Sequence, residues 1–112
     1  MIGTTTSNGA KADAMTQDAL NDVFQHDPNI IARAIAGELI LVPIRKQVGE
    51  MESIYTLNET GARIWEWIDG RRTLNDLLEL VLAEFEVEPL QAEADLLELF
   101  QALDQRHAVV KV

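Results

Sequence analysis

Residues 57–73 read LNETGARIWEWIDGRRT, and this stretch fixes where one helix starts, where it stops and where the next begins. Asn58 has the short polar side chain of a helix N-cap, and Glu59 suits the positive N-terminal end of the helix dipole. Gly61, Ile64, Trp65 and Ile68 fall on one face at helical spacing. Gly70 is read as the C′ residue that ends the helix. Gly61 inside a helix costs about 1 kcal/mol relative to Ala, so close packing against a neighbouring sheet is the expected compensation. Trp67 lies to the side of the apolar face and is read as capping the edge of the core or, alternatively, as contacting a partner.

Downstream, Thr73 followed three residues later by Asp76 resembles a capping box. Leu74, Leu77, Leu78, Val81, Leu82 and Phe85 give the second helix its apolar side. Glu86-Val87-Glu88 is a short link, and Pro89 suits the first turn of a third helix running to about Arg106. His107 to Val112 reads as a short β-segment. Two helices on a three-residue link, followed by a β-segment, have the order of a winged helix-turn-helix.

Upstream, three short apolar segments read as strands: Ile30 to Ala36, Leu39 to Ile44, and Glu52 to Leu57. Gly37-Glu38 is the expected first turn, and the polar stretch Arg45 to Glu50 the second connection. Pro43 lacks an N–H and belongs at a strand end or edge. Short links between consecutive strands predict an antiparallel meander. The expected fold is therefore α+β and winged helix-turn-helix-like: an N-terminal three-stranded antiparallel sheet, three helices and a short terminal β-segment. Residues 1–14, rich in Thr, Ser, Asn, Gly and Ala, read as disordered. Residues 16–25 can form a short helix, with Thr16 as N-cap, read either as a frayed segment or as an amphipathic piece that docks on the domain or on a partner. The domain is placed at 29–112, with 1–28 as a flexible tail.

Composition narrows the function. The chain has 112 residues, with 9 Lys plus Arg against 19 Asp plus Glu and a net charge of −10. That field repels phosphate backbones and anionic membranes and attracts basic peptides or basic patches on other proteins. There is no Cys, hence no disulfide, thiolate metal site or Cys nucleophile. No apolar run reaches the roughly 20 residues that span a bilayer. Met1 to Ala14 lacks the basic and then apolar blocks of a signal peptide. A cytoplasmic location is expected.

No catalytic constellation stands out. His26 and His107 are far apart and outside any metal-ligand spacing, and Ser7 and Ser53 have no nucleophile-elbow context. No glycine loop cradles phosphate. The carboxylates fall on polar helix faces as solvated charges. No cofactor, metal or catalytic residue is assigned, and the chain is not expected to be an enzyme. The helix-turn-helix order raises DNA binding. The third helix, however, carries Gln91, Glu93, Asp95, Glu98, Gln101, Asp104 and Gln105, with Arg106 as its single base at the very end. Such a helix repels phosphate. No nucleic-acid or membrane partner is expected.

Peptide or protein binding remains. On the third helix Ala92, Leu96, Leu99, Phe100 and Leu103 cluster, and Leu90 and Leu97 widen the arc to about half the circumference, more than one core contact needs. Such an arc is either core throughout or core with one margin lining an apolar groove. If the third strand lies at the sheet edge, Ile54, Tyr55 and Thr56 offer backbone groups to an added strand. The tail segment 16–25 is a candidate competitor for such a groove. A structural or regulatory winged-helix module that contacts only a protein partner is the alternative.

Leu57 to Trp65, then Ile68-Asp69-Gly70 and Thr73, resembles the PqqD-like family, whose members carry an LNETAxxIW…IDGxxT pattern. Phe85-Glu86-Val87, Glu93-Ala94-Asp95-Leu96-Leu97 and Glu38 to Pro43 extend the likeness over about residues 30–110. Gly61 departs from the more usual Ala, and His107 stands where many relatives have Gly. The resemblance implies a recognition element for ribosomally made, post-translationally modified peptides. In such domains the leader of a precursor peptide adds as a strand beside the third strand, in a cleft bordered by the third helix. Carried onto this chain, the peptide site is Ile54, Tyr55, Thr56 and Leu57, with Leu97 and Phe100 chosen from the helical wheel. The implied partners are the precursor peptide and a modifying enzyme, most often of the radical SAM type, in pyrroloquinoline quinone biosynthesis or another pathway. The oligomeric state is left as monomer or dimer.

Overall fold

The computed structural model describes residues 15–44 and 54–112. In chain order these form a 3₁₀ helix (Gln17–Asn21), β1 (Phe24–His26), β2 (Ile30–Ile35), β3 (Glu38–Pro43), β4 (Tyr55–Leu57), α1 (Glu59–Trp67), α2 (Leu74–Glu84), α3 (Pro89–Gln105) and β5 (Val109–Lys111). The strands β2, β3 and β4 make a three-stranded antiparallel sheet in that order, and β1 pairs with β5 in a second, two-stranded sheet. The fold is thus the expected α+β arrangement. The expected disorder of residues 1–14, and residues 52 and 53 of the expected third strand, lie outside the described residues.

The helix boundaries are set by local chemistry. The Asn58 side chain accepts from the Gly61 N–H at 2.9 Å. Thr73 and Asp76 form a complete capping box, each side chain accepting from the other's backbone N–H. Pro89 occupies the first turn of α3, and Glu88 caps it by accepting from the Gln91 N–H. α1 ends earlier than Gly70: Ile68 is its C-cap, and Gly70, at φ +77°, lies two residues beyond. Gly70 then donates its N–H to the Phe24 carbonyl at 3.0 Å. At Gly61 a Cβ would stand 3.3 Å from both Cβ and Cδ2 of Leu57, a tight contact that the glycine avoids where α1 follows β4.

The core lies between the inner sheet face and the three helices. Leu41 and Leu57 from the sheet meet Ile64, Trp65, Leu74, Leu77, Leu96, Phe100 and Leu103, all buried. The first hairpin turns at Ala36-Gly37, one residue before the expected Gly37-Glu38, and β2 ends at Ile35. Both turn residues have positive φ, 50° and 83°, as a two-residue type I′ turn demands.

The largest departure concerns the segment assigned to the tail. Residues 15–28 are part of the fold. Thr16 does cap a helical turn, but the turn is 3₁₀ and stops at Asn21, after which the chain becomes β1. Phe24 is 4% exposed, and its ring centroid lies 5.3 Å from that of Phe100. β1 is held on both edges. It pairs with β5 on one side, while Gly70 donates to Phe24 and Leu74 donates to Asp22 on the other. The terminal β-segment thus finds its partner in the N-terminal segment and not in the three-stranded sheet. Periodicity over 16–25 suggested a helix because Leu20, Val23 and Phe24 share a face at helical spacing. Burial of Phe24 in a core built from distant residues decides otherwise.

Candidate functional site

Among the described residues, the order β2-β3-β4 leaves β4 with one free edge. Which of its backbone groups face that edge follows from the hairpin register. In a two-residue hairpin the pair flanking the turn exchanges both N–H···O bonds, and such pairs then alternate. That pair is Ile35 and Glu38, so Arg33–Ile40 and Ile31–Val42 are also bonded pairs. Beyond the strands the Ile44 N–H donates to the Asn29 carbonyl at 2.7 Å, which continues the alternation. Pro43, which has no N–H, falls opposite Ile30 at a position that needs no bond across to β2.

The remaining groups of β3, those of Leu39 and Leu41, therefore point to β4, where their partners are Leu57 and Tyr55. Thr56, opposite Ile40, turns its N–H and C=O away from β3 and toward the open edge. Thr56 is also exposed. The expected docking backbone thus divides: Tyr55 and Leu57 hold the sheet together, and Thr56 presents the free donor and acceptor.

Side chains follow the same alternation. Tyr55 and Leu57 lie on the inner face with Leu41 and Leu39, and Leu57 is 2% exposed. Thr56 lies on the outer face with Ile40. Ile54, just before the strand, is 61% exposed. The half-buried Tyr55 ring is covered by Arg106, whose guanidinium carbon is 4.3 Å from the ring centroid. This cation–π contact bridges the end of α3 to the start of β4.

The two α3 residues chosen from the wheel are not brought to this edge. Phe100 is fully buried, stacked obliquely on Phe24, and offers no surface. Leu97 is half-buried on another flank of the helix. At 100° per residue it lies about 40° from Glu93 and about 180° from Arg106. Glu93 faces the N-terminal 3₁₀ helix, accepting from the Gln17 side-chain amide at 2.9 Å. By the same spacing Leu99 and Ala102, both half-buried, lie within about 40° of Arg106 on the flank toward Tyr55. The wheel gave the width of the apolar arc but not which margin meets β4, because that depends on where the N-terminal segment packs. Residues 16–25 fill the opposite side of α3 and do not lie on the β4 edge.

Other features read as structural. His26 stacks on Trp65, ring centroids 4.0 Å apart and nearly parallel, with Nε2 at 2.8 Å from the Trp65 carbonyl oxygen. Arg63 bridges Glu66 and Glu84 and lies 5.0 Å from the ring centroid of Trp67, which is half-buried and packs against the core. Asp69 accepts from the backbone N–H groups of Arg72 and Arg71, which hold its carboxyl below the usual value. Among the described residues there is no cluster of His, Asp or Glu that could hold a metal ion, and no helix long and apolar enough to cross a membrane.

The family model for coenzyme PQQ synthesis protein D (PqqD) matches residues 38–109. Two solved structures share the fold. One is TbiB1 in complex with the TbiA(beta) leader peptide, at TM-score 0.62 and 21% identity, covering 76% of this chain and 93% of that one. The other is lasso peptide synthetase B1 complexed with the leader peptide, at TM-score 0.63 and 25% identity, covering 78% and 96% respectively. No curated protein matches the sequence.

Proposed function

The chain belongs to the PqqD family, and from that premise we propose that it is an adaptor that binds the leader of a ribosomally made precursor peptide and presents it to a modifying enzyme. The observation that carries the reading is the free edge of β4. Thr56 there offers one N–H and one C=O to an added strand, beside the α3 flank formed by Leu99, Ala102 and Arg106. Main-chain bonds to such an edge supply affinity, and alternate side chains of the added strand supply register. The two similar structures were both solved with leader peptides, which supports the same use of this fold. In this reading the peptide lies along Ile54 to Leu57, with Thr56 supplying the free backbone donor and acceptor, and the chain itself carries no chemistry. The modifying enzyme is of the radical SAM type, acting in pyrroloquinoline quinone synthesis or another peptide-modification pathway, and the complex works in the cytoplasm.

Amide hydrogen exchange on the full chain tests this, with a candidate precursor leader peptide as ligand. In the free protein the Thr56 amide exchanges faster than those of Tyr55 and Leu57, which are bonded to β3. Saturating peptide slows Thr56 and leaves its two neighbours little changed. Protection centred on β2, the other edge of the sheet, or no protection at all, overturns the assignment.

A further inference from the structure

We propose that Arg106 selects an acidic side chain on the bound peptide, at the one position that lies opposite Tyr55. The inference rests on the β4-edge reading above and adds the chemistry of one subsite. A strand added to β4 bonds to Thr56, whose N–H and C=O face the open edge. The peptide residue opposite Tyr55 is then a non-hydrogen-bonded partner, the closer of the two kinds of cross-strand pair. Directly opposed residues share a sheet face, so its side chain points to the same side as the Tyr55 ring. That side carries Arg106.

The state of the guanidinium supports the rest. It lies over the Tyr55 ring, which occupies one face of the plane and leaves the N–H groups on its rim available. Among the described residues Arg106, like Arg33 and Arg71, has no side-chain hydrogen bond and no carboxylate partner, whereas Arg63, Arg72 and Lys111 each have one; of the three without a partner, Arg106 is the one that lies over the Tyr55 ring. α3 itself contains no Lys or Arg. An arginine left unpaired in a chain of net charge −10 is poised to take a carboxylate from outside. A neutral or basic residue at that position leaves the rim unpaired or repels it, while the remainder of a basic peptide is favoured by the acidic surface.

The test is selection of random 12-residue displayed peptides on the full-length protein, with Thr56→Pro, Arg106→Gln, Arg106→Lys and Arg106→Glu run in parallel. For the wild type, the enriched pool carries Asp or Glu at a single fixed position and loses binding to Thr56→Pro. Arg106→Gln removes the acidic preference, Arg106→Lys keeps a weaker one, and Arg106→Glu replaces it with Lys or Arg. For one enriched sequence made as a labelled peptide, changing the acidic residue to its amide weakens binding about tenfold to wild type and less than twofold to Arg106→Gln. A pool that depends on Thr56 but shows no acidic position overturns the Arg106 assignment and leaves the peptide-edge reading standing. A pool indifferent to Thr56→Pro, or no enrichment at all, overturns both.

Discussion

Two neighbouring proline substitutions separate binding from folding in this protein. Thr56→Pro removes an N–H that points out of the sheet, at an edge position where proline is tolerated. A bound strand then loses one main-chain bond and keeps an acceptor without its donor. That costs about 1–3 kcal/mol, a weakening of about 5- to 150-fold in Kd. Stability of the free protein changes little. Tyr55→Pro is expected to act oppositely. The Tyr55 N–H faces β3, so its loss strands the Leu41 carbonyl, and removing the ring also removes the Arg106 cation–π contact. Together these amount to about 2–4 kcal/mol of folding stability. Urea denaturation reads the stability, and fluorescence polarisation with a labelled leader peptide reads the affinity. A destabilised Thr56→Pro beside an intact Tyr55→Pro would mean that the register of β4 is reversed from the one deduced. Unchanged leader affinity in Thr56→Pro would show that the peptide does not bind this edge.

The N-terminal segment gives a second prediction: Phe24→Ala lowers unfolding free energy by about 3–5 kcal/mol in urea, whereas a dispensable tail would give no change. His107→Gly raises stability by about 1 kcal/mol. His107 sits at φ 59°, the left-handed residue of a Schellman motif in which Ala108 donates to Leu103 and His107 to Asp104. Calorimetry should show this as a rise in Tm of several degrees. Ala36→Asn relieves the same kind of strain at φ 50° in the hairpin turn, and an unaltered or lower Tm would contradict the type I′ assignment. For Asp69, the N–H groups of Arg72 and then Arg71 hold the carboxyl below its ordinary value of 3.8. Its contribution is therefore complete above that value and disappears as pH falls through the lowered one. The stability gap between wild type and Asp69→Asn should be flat from about pH 5 to 8 and close only in strong acid, as followed by urea titrations.

Helix starts were legible in the sequence because capping is a contest among residues three apart. Asn58 with Gly61, Thr73 with Asp76, and Pro89 in the first turn need no distant partner to act. The close approach behind Gly61 was legible for a related reason: a helical glycine with no local role implies a neighbour, here Leu57. The antiparallel meander followed from three β-compatible runs on short links. The resemblance carried by residues 57–73 pointed to the family that residues 38–109 match.

Tertiary structure alone decided the rest, because each remaining question turns on a contact between segments remote in the chain. Local periodicity could not tell that Phe24 would be stacked on Phe100, or that β5 would take β1 as its partner. A helical wheel ranks residues around an axis but has no origin. Only the docking of Gln17 on Glu93, and of Arg106 on Tyr55, gives the wheel its origin, with Leu97 beside Glu93 and Leu99 and Ala102 beside Arg106. Even the identity of the free backbone group required the pairing. A strand's N–H groups alternate in direction, and one residue of register, set by the Ala36-Gly37 turn and relayed through β3, leaves Thr56 facing outward in place of Tyr55.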